Sequence, residues 1–186
     1  MKMIFEKEND SMTITGTKAW QSYTALCKML EKNDIDFEKD DKDLYVKCNV
    51  SGKDVELNFV FTVDASKMLI TLYSIIPVQV DKDKAADIAL ALCVINNTLS
   101  DGAFSLDTNN LLVYYKMTSS FYNSKVNSSV YEYMLSEAAN TMDDYFIKIK
   151  KLIITGEPYK EQEDHSSSVL AQFLINKGER LPLPVS

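Results

Sequence analysis

The side chains best suited to chemistry in this sequence are its clustered carboxylates: Asp34 with Asp36, Asp40 with Asp41 and Asp43, Asp81 with Asp83, and Asp143 with Asp144. Carboxylates converging in a cleft can share general-acid and general-base work or ligate a hard cation. The spacing here argues for less. Asp81-Lys82-Asp83 opens like a calcium loop, but the sixth position is Ala86 rather than glycine and the twelfth is Leu92 rather than glutamate. Asp143 and Asp144 are consecutive on a predicted helix, so they leave it at different azimuths and do not converge unaided. Capping and turn chemistry accounts for these clusters. A hydrolytic or metal site would need carboxylates brought together from separate elements.

Histidine, the usual proton shuttle near neutral pH, occurs once, as His165 between Asp164 and Ser166. Nothing beside it holds a base in place, so a solvated side chain is expected. The cysteines Cys27, Cys48 and Cys93 are far apart and form no CxxC, which argues for reduced thiols and against a disulfide framework or a zinc site. Cys27 and Cys93 lie within helical patterns, where a small buried hydrophobe is the expected role. The glycines Gly16, Gly52, Gly102, Gly156 and Gly178 each mark an element boundary, and none belongs to GxGxxG, to a P-loop or to GxSxG. A phosphate-cradling loop needs clustered glycines, so none is expected. No catalytic residue, metal ligand set or cofactor-binding residue is predicted.

Composition bounds the rest. The chain has 186 residues, 46% hydrophobic and 25% charged, with a net charge of −7. That is enough apolar material for one substantial core. An acidic surface repels phosphate, which disfavours nucleic acid and anionic membranes as partners. No apolar run approaches the roughly 20 residues that span a bilayer. Residues Met1 to Asp10 alternate charged and apolar types without a signal-peptide core, so a cytoplasmic chain is expected. The sequons at Asn49, Asn96 and Asn127 then carry no meaning.

The elements that must position these residues follow from periodicity. Residues 1–16 read as a lead-in, with a short strand at Met12 to Thr15. A helix capped by Thr17 carries Trp20, Tyr23, Leu26 or Cys27, and Leu30, and ends near Asn33-Asp34. Ile35 to Glu38 pairs loosely with Tyr45 to Val50. After the turn at Ser51-Gly52-Lys53-Asp54, Val55, Leu57, Phe59, Phe61 and Val63 alternate with Glu56, Asn58, Val60 and Thr62, so one face is buried. Met68 to Ile76 is apolar enough to be a central strand, stopped by Pro77. Asp81 caps a helix over about Lys82 to Leu99, with Gly102 as its left-handed terminus. A hairpin, Ala103 to Asp107 and Leu111 to Met117, turns at Asn109-Asn110 and sets Tyr114 and Tyr115 on opposite faces. A long helix capped by Ser128 or Ser129 shows a stripe through Val130, Met134, Ala138, Met142, Tyr145, Ile149 and Leu152, and ends at Gly156. The order α-β-β-β-(β)-α-β-β-α predicts an α+β fold, an antiparallel sheet of about five strands with helices packed on one face. No internal repeat is evident. Residues 157–186 form a polar tail with a short amphipathic helix predicted over 169–176.

The block Ile95-Asn96, Leu99, Gly102-Ala103-Phe104, Leu106-Asp107 and Leu112-Val113-Tyr114-Tyr115-Lys116 resembles the YbjN-like family of bacterial proteins, itself similar in fold to type III secretion chaperones. The resemblance extends more loosely to Trp20, Leu30, the Val55 to Val63 strand, Ile76-Pro77 and Asp143-Asp144-Tyr145, and covers roughly Thr17 to Gly156. The chain departs from the family in having Asn109-Asn110 where a turn glycine is frequent and Lys116 where arginine is frequent. The resemblance implies one α+β domain over 17–156, frequent homodimers, and binding or regulation rather than catalysis. It carries over no catalytic residue.

The leading expectation is therefore a non-enzymatic, chaperone-like module holding a peptide segment of another protein. The alternatives are an enzyme with an unrecognised carboxylate and tyrosine site, and an assembly component whose tail docks through Phe173, Leu174, Leu181 and Leu183.

Overall fold

Period-two alternation builds the centre of the molecule. The structure is a computed structural model describing residues 18–53, 55–124 and 127–156. A first helix, α1, is seen over 18–32. It is followed by β1 (Phe37–Asp40), β2 (Tyr45–Ser51), β3 (Glu56–Asp64) and β4 (Leu69–Gln79). A 3-10 turn, Lys82–Lys84, leads into α2 (Ala85–Asn96), then β5 (Ala103–Asp107), β6 (Leu112–Ser120) and α3 (Ser128–Thr155). The strands form one antiparallel sheet in the order β1-β2-β3-β4-β6-β5.

Register puts one apolar row across the sheet. Val46 opposes Phe61, Phe61 opposes Leu72, and Leu72 opposes Met117, all four buried. Ser74, Tyr115 and Phe104 make a parallel row. Helices cover this face. α3 contributes Tyr131, Met134, Ala138, Met142, Ile149 and Leu152, and α1 contributes Ala19, Tyr23, Leu26 and Leu30. Tyr131 ties the two helices together: its hydroxyl donates to the Ser22 carbonyl at 2.7 Å and also meets Ser22 Oγ. Burial pushes that phenol up to about 12. Truncating one of the larger of these core side chains, such as Leu26, Leu30, Met134 or Ile149, to alanine removes about 2–5 kcal/mol.

Three hairpin turns obey one local rule. Asp40, Asp64 and Asp107 end their strands, and one carboxylate oxygen of each accepts the backbone N–H groups two and three residues on. Four residues on, Leu44, Met68 and Leu111 take left-handed backbone with φ of 50°, 54° and 54°. A neighbouring stretch then captures each turned carbonyl. Val63 N–H donates to Leu44 at 3.0 Å, Phe121 to Met68 at 3.0 Å, and Val80 to Leu111 at 2.8 Å. The aspartate caps and captured carbonyls offset the roughly 1–2 kcal/mol that a non-glycine residue loses there.

The α+β class, the layer arrangement and the central place of β4 agree with the sequence reading, with several corrections. The sheet has six strands rather than about five, because the short charged β1 pairs fully with β2, Phe37 opposite Cys48 through Asp40 opposite Tyr45. Pro77 does not stop β4. The strand runs on to Gln79 through a register shift after Ile76, which absorbs the missing N–H. Asp81 makes no side-chain cap and instead pairs with Lys84 at 2.9 Å. α2 is shorter than predicted, so Gly102 (φ 70°) leads into β5 instead of closing the helix. Asn127, not a serine, caps α3 by accepting the Ser129 N–H at 3.1 Å. Gly156 closes it in the left-handed form, as predicted. Trp20 is about half exposed, since Ala19 and Tyr23 occupy the buried stripe. The Met12 to Thr15 strand, the Thr17 cap, His165 and the 169–176 helix lie outside the described residues.

Candidate partner-binding face

The sequence-derived candidates for chemistry do not meet. Among the described residues, no group of three His, Cys, Asp or Glu side chains could hold a metal ion. Asp40 caps its turn, while Asp41 accepts the Tyr23 hydroxyl at 2.7 Å and lies 3.2 Å from Lys39. Those two partners hold the Asp41 carboxyl low, Tyr23 most of all. Asp143 accepts the Lys53 backbone N–H at 2.7 Å and pins the β2–β3 turn to α3, while Asp144 points elsewhere, as two consecutive helical residues must. Cys27 and Cys48 are buried, and burial pushes the Cys48 thiol up to about 11, away from thiolate chemistry. Cys93 departs from expectation: it is exposed, because α2 buries Ile88, Leu92 and Ile95 and presents Cys93 on the opposite side.

Tyr114 and Tyr115 lie on opposite faces, as the strand pattern requires. Tyr115 is buried and donates to the Asp101 carbonyl at 2.9 Å. Tyr114 points to the other face of the sheet, which the alternation leaves open. There Lys47, Val60, Tyr73, Lys116 and Ala103 lie opposite one another in one cross-strand row. The adjacent row sets Ile75 against Tyr114. The Tyr73 and Tyr114 rings are 6.0 Å apart, and the Lys116 ammonium stands 5.8 Å from the Tyr73 centroid. At the other end, Lys47 lies 5.6 Å from the Tyr45 ring. Ile75 is 51% exposed in the middle of this strip. A shallow trough of about 430 Å³ continues it over β1–β3, past Glu38, Asn49 and Asn58.

The strip is flat, apolar at its centre and flanked by ammonium groups. Such a surface accepts aliphatic and aromatic side chains and pairs carboxylates at its margins. It has no buried acid or base to move a proton. The two sheet edges are poorer docking rails. Asn96 occupies the outer main-chain groups of Phe104 on β5. β1 is four residues long and carries Glu38, Lys39 and Asp40, features that discourage strand addition. Sequence reasoning missed this strip because Tyr73 and Ile75 lie in an apolar run that reads as a central strand. The available signal was Val60, an apolar residue in the polar register of β3.

None of the described helices is long and apolar enough to cross a membrane. No family model and no curated protein matches the sequence. Solved structures align with it, among them these two. One is the HopA1–SchA chaperone–effector complex, at 14% identity and a TM-score of 0.46, covering 69% of this chain and 91% of that one. The other is YbjN from E. coli, described as a candidate transcription regulator, at 11% identity and a TM-score of 0.48, covering 67% and 88%. The YbjN-like family that the sequence resembles thus has a member among the solved structures that align with this chain.

Proposed function

We propose that this chain is a non-enzymatic protein-binding module that holds an extended segment of a partner protein on its open sheet face. The observation that carries this reading is the sheet-face strip in which exposed Ile75 and half-buried Val60, Tyr73 and Tyr114 lie beside the exposed Lys47 and Lys116. An uncovered apolar strip rimmed by charge is a docking surface in a soluble protein. The flanking lysines favour a segment with acidic residues beside its apolar anchors. Residues 17–156 form the binding domain and 157–186 a tail. The module acts in the cytoplasm, and the resemblance adds a homodimer, which sedimentation of the 21.1 kDa chain tests directly.

The test is capture from native cytosol by three proteins: the unmodified chain, Ile75→Glu with Tyr114→Glu, and Ile147→Ser on the solvent side of α3. A stoichiometric protein retained by the first and third but lost from the second supports the reading. Retention by all three places the binding surface elsewhere and overturns it.

A further inference from the structure

α3 divides its charges at Ile147. Glu132, Glu137, Asp143 and Asp144 precede it, and every charged residue of the helix after it is a lysine: Lys148, Lys150 and Lys151. The division does not serve the helix dipole, which acts in the terminal turns, because the first turn of α3 holds no acidic residue and the last no basic one. Neighbouring elements do not cancel it. Lys32 lies 3.9 Å from Glu132 and Lys53 3.4 Å from Asp143. That leaves Glu137 and Asp144 without a cation among the described residues. α2 lies beside the basic half, with Thr98 on the Tyr145 hydroxyl at 2.9 Å and the Lys84 stem beside Gly156. Its one charge is Asp87, and the turn Asp81 to Lys84 before it is balanced, with Asp81 on Lys84 at 2.9 Å. Lys148 and Lys150 form no ion pair among the described residues. Lys148 lies 4.8 Å from the Tyr145 ring, although Asp144 is one helical turn away.

The surface is apolar where the sign changes. Ile147 and Ile154 are 49% and 59% exposed, one heptad apart, on the side of α3 away from the buried Ala138, Ile149 and Leu152. Tyr133 and Asn140 continue the same exposed line at the same seven-residue spacing. A helix that is acidic in one half, basic in the other and apolar between them is complementary to its own copy turned end for end. A parallel copy would set carboxylate on carboxylate and lysine on lysine. An antiparallel copy sets each acidic half on a basic half, twice over, because a two-fold contact is isologous. With the axis at Ile147, that side chain meets its own copy, and Asp144 of each chain faces the turn that holds Lys148 and Lys150 of the other.

We infer that two copies of this chain pair antiparallel through the outer face of α3, about a two-fold axis at Ile147, with the acidic half of each helix on the basic half of the other. This rests on the homodimer in the proposed reading and names its surface. The open sheet face lies on the other side of the sheet, so capture there does not need the pair. The experiment is sedimentation of the full chain, of Asp144→Lys, of Lys148→Glu with Lys150→Glu, and of an equimolar mixture of the two variants, at about 0.1 M salt. All three substituted positions are exposed, and circular dichroism checks that each variant keeps the parent's fold. The full chain is expected at twice 21.1 kDa. Each variant alone sets like charges across the axis and should need a concentration about ten-fold higher, or more, to dimerise. The mixture should return to the parent's dimer, because the new lysine of one variant then faces the new carboxylates of the other. A full chain that stays monomeric up to about 100 μM overturns the homodimer and this inference together. A dimer that either variant leaves as stable as the parent's overturns this inference alone and moves the axis to another surface. Two monomeric variants that do not pair when mixed overturn the end-for-end arrangement.

Discussion

The side-chain amide of Asn96 pairs with the main chain of Phe104 in both directions: Oδ1 accepts the Phe104 N–H at 2.8 Å, and Nδ2 donates to the Phe104 carbonyl at 2.9 Å. Asn96 ends α2 and Phe104 lies in the last strand of the sheet, so one side chain stands in for a seventh strand at a single residue. Asn96→Ala leaves both main-chain groups without their partner at a half-buried position. It is expected to cost about 2–3 kcal/mol in denaturant unfolding. Asn96→Asp, which keeps the acceptor and loses the donor, should cost less, and amide exchange at Phe104 should stay slower in Asp than in Ala. Equal exchange in both variants would show that the clamp does not protect the edge.

Gly102 is required twice over. Its φ is 70°, and a Cβ there would collide with the Tyr115 hydroxyl. Gly102→Ala should therefore destabilise by more than the roughly 1 kcal/mol of a left-handed alanine. The collision also involves the ring carbons Cζ and Cε2, so Tyr115→Ala rather than Tyr115→Phe removes it, along with the bond to the Asp101 carbonyl. The double variant should then be more stable than the sum of the single losses predicts, by about 1 kcal/mol or more. Strict additivity in a double-mutant cycle would show that the two residues do not compete for the same space.

These two contacts explain what was legible and what was not. Periodicity located the three described helices and the longer strands, because a buried face imposes its period on a local stretch of residues. The short, charged β1 carries no such period, and the sequence predicts about five strands rather than six. It could also pair Asn96 with a glycine and phenylalanine further on as a motif, yet not say that an amide was acting as backbone. That depends on where α2 ends relative to β5, a tertiary fact. The same limit hid the open face. Tyr73 and Ile75 lie in an apolar run, and such a run reads as core on both faces until the number of covering layers is known. Cys93 failed for the converse reason: α2 is apolar on both sides, so its sequence does not say which side is buried.

Asp64 makes the β3–β4 turn sensitive to acid. Its carboxylate accepts the Ser66 hydroxyl at 2.7 Å and the backbone N–H groups of Ser66 and Lys67, and these bonds, the Ser66 hydroxyl first, hold it well below the usual carboxylate range. A folded-state value lowered in this way adds stability above the ordinary aspartate value near 4, lost as pH falls through the folded value. Asp107 shifts in the same direction through Asn110 and Asn109. Stability should therefore be flat above about pH 5 and decline progressively below it. Asp64→Asn should show a lower plateau and a shallower acid limb. A variant whose unfolding midpoint follows the parent curve from neutral pH to pH 2 would assign acid sensitivity to other groups.

Gly52 gives way to Asp143. A Cβ at Gly52 would overlap Asp143 Oδ1, the same oxygen that accepts the Lys53 N–H. Gly52→Ala is thus expected to break the clamp between the β2–β3 turn and α3, at a cost of about 1–2 kcal/mol. Asp143→Ala should cost a similar amount and, once made, should reduce the penalty of Gly52→Ala to less than half of its parent value, because the obstructing oxygen has gone. The Lys53 ammonium, 3.4 Å from Asp143 and largely exposed, should contribute little, so Lys53→Ala is expected to lie within about 0.5 kcal/mol of the parent. A large loss in Lys53→Ala would show that the ion pair, not the backbone N–H, carries the clamp.

The open face separates binding from stability. Ile75 is exposed and Lys47 and Lys116 extend into solvent, so Ile75→Glu and Lys116→Ala should shift the unfolding free energy by no more than about 0.5–1 kcal/mol. Their effects on capture of an acidic, apolar segment should differ in kind. Ile75→Glu removes an apolar anchor and sets a carboxylate beside the segment's own, so the loss should persist at every salt concentration. Lys47→Ala and Lys116→Ala remove only a screened attraction, so capture should weaken at 0.05 M salt and converge on the parent near 0.5 M, where the screening length falls to about 4 Å. Binding isotherms at the two salt concentrations with a defined acidic, apolar peptide measure both effects. If the lysine variants lose as much at high salt as at low, the lysines make desolvated contacts with the segment instead of guiding its charge.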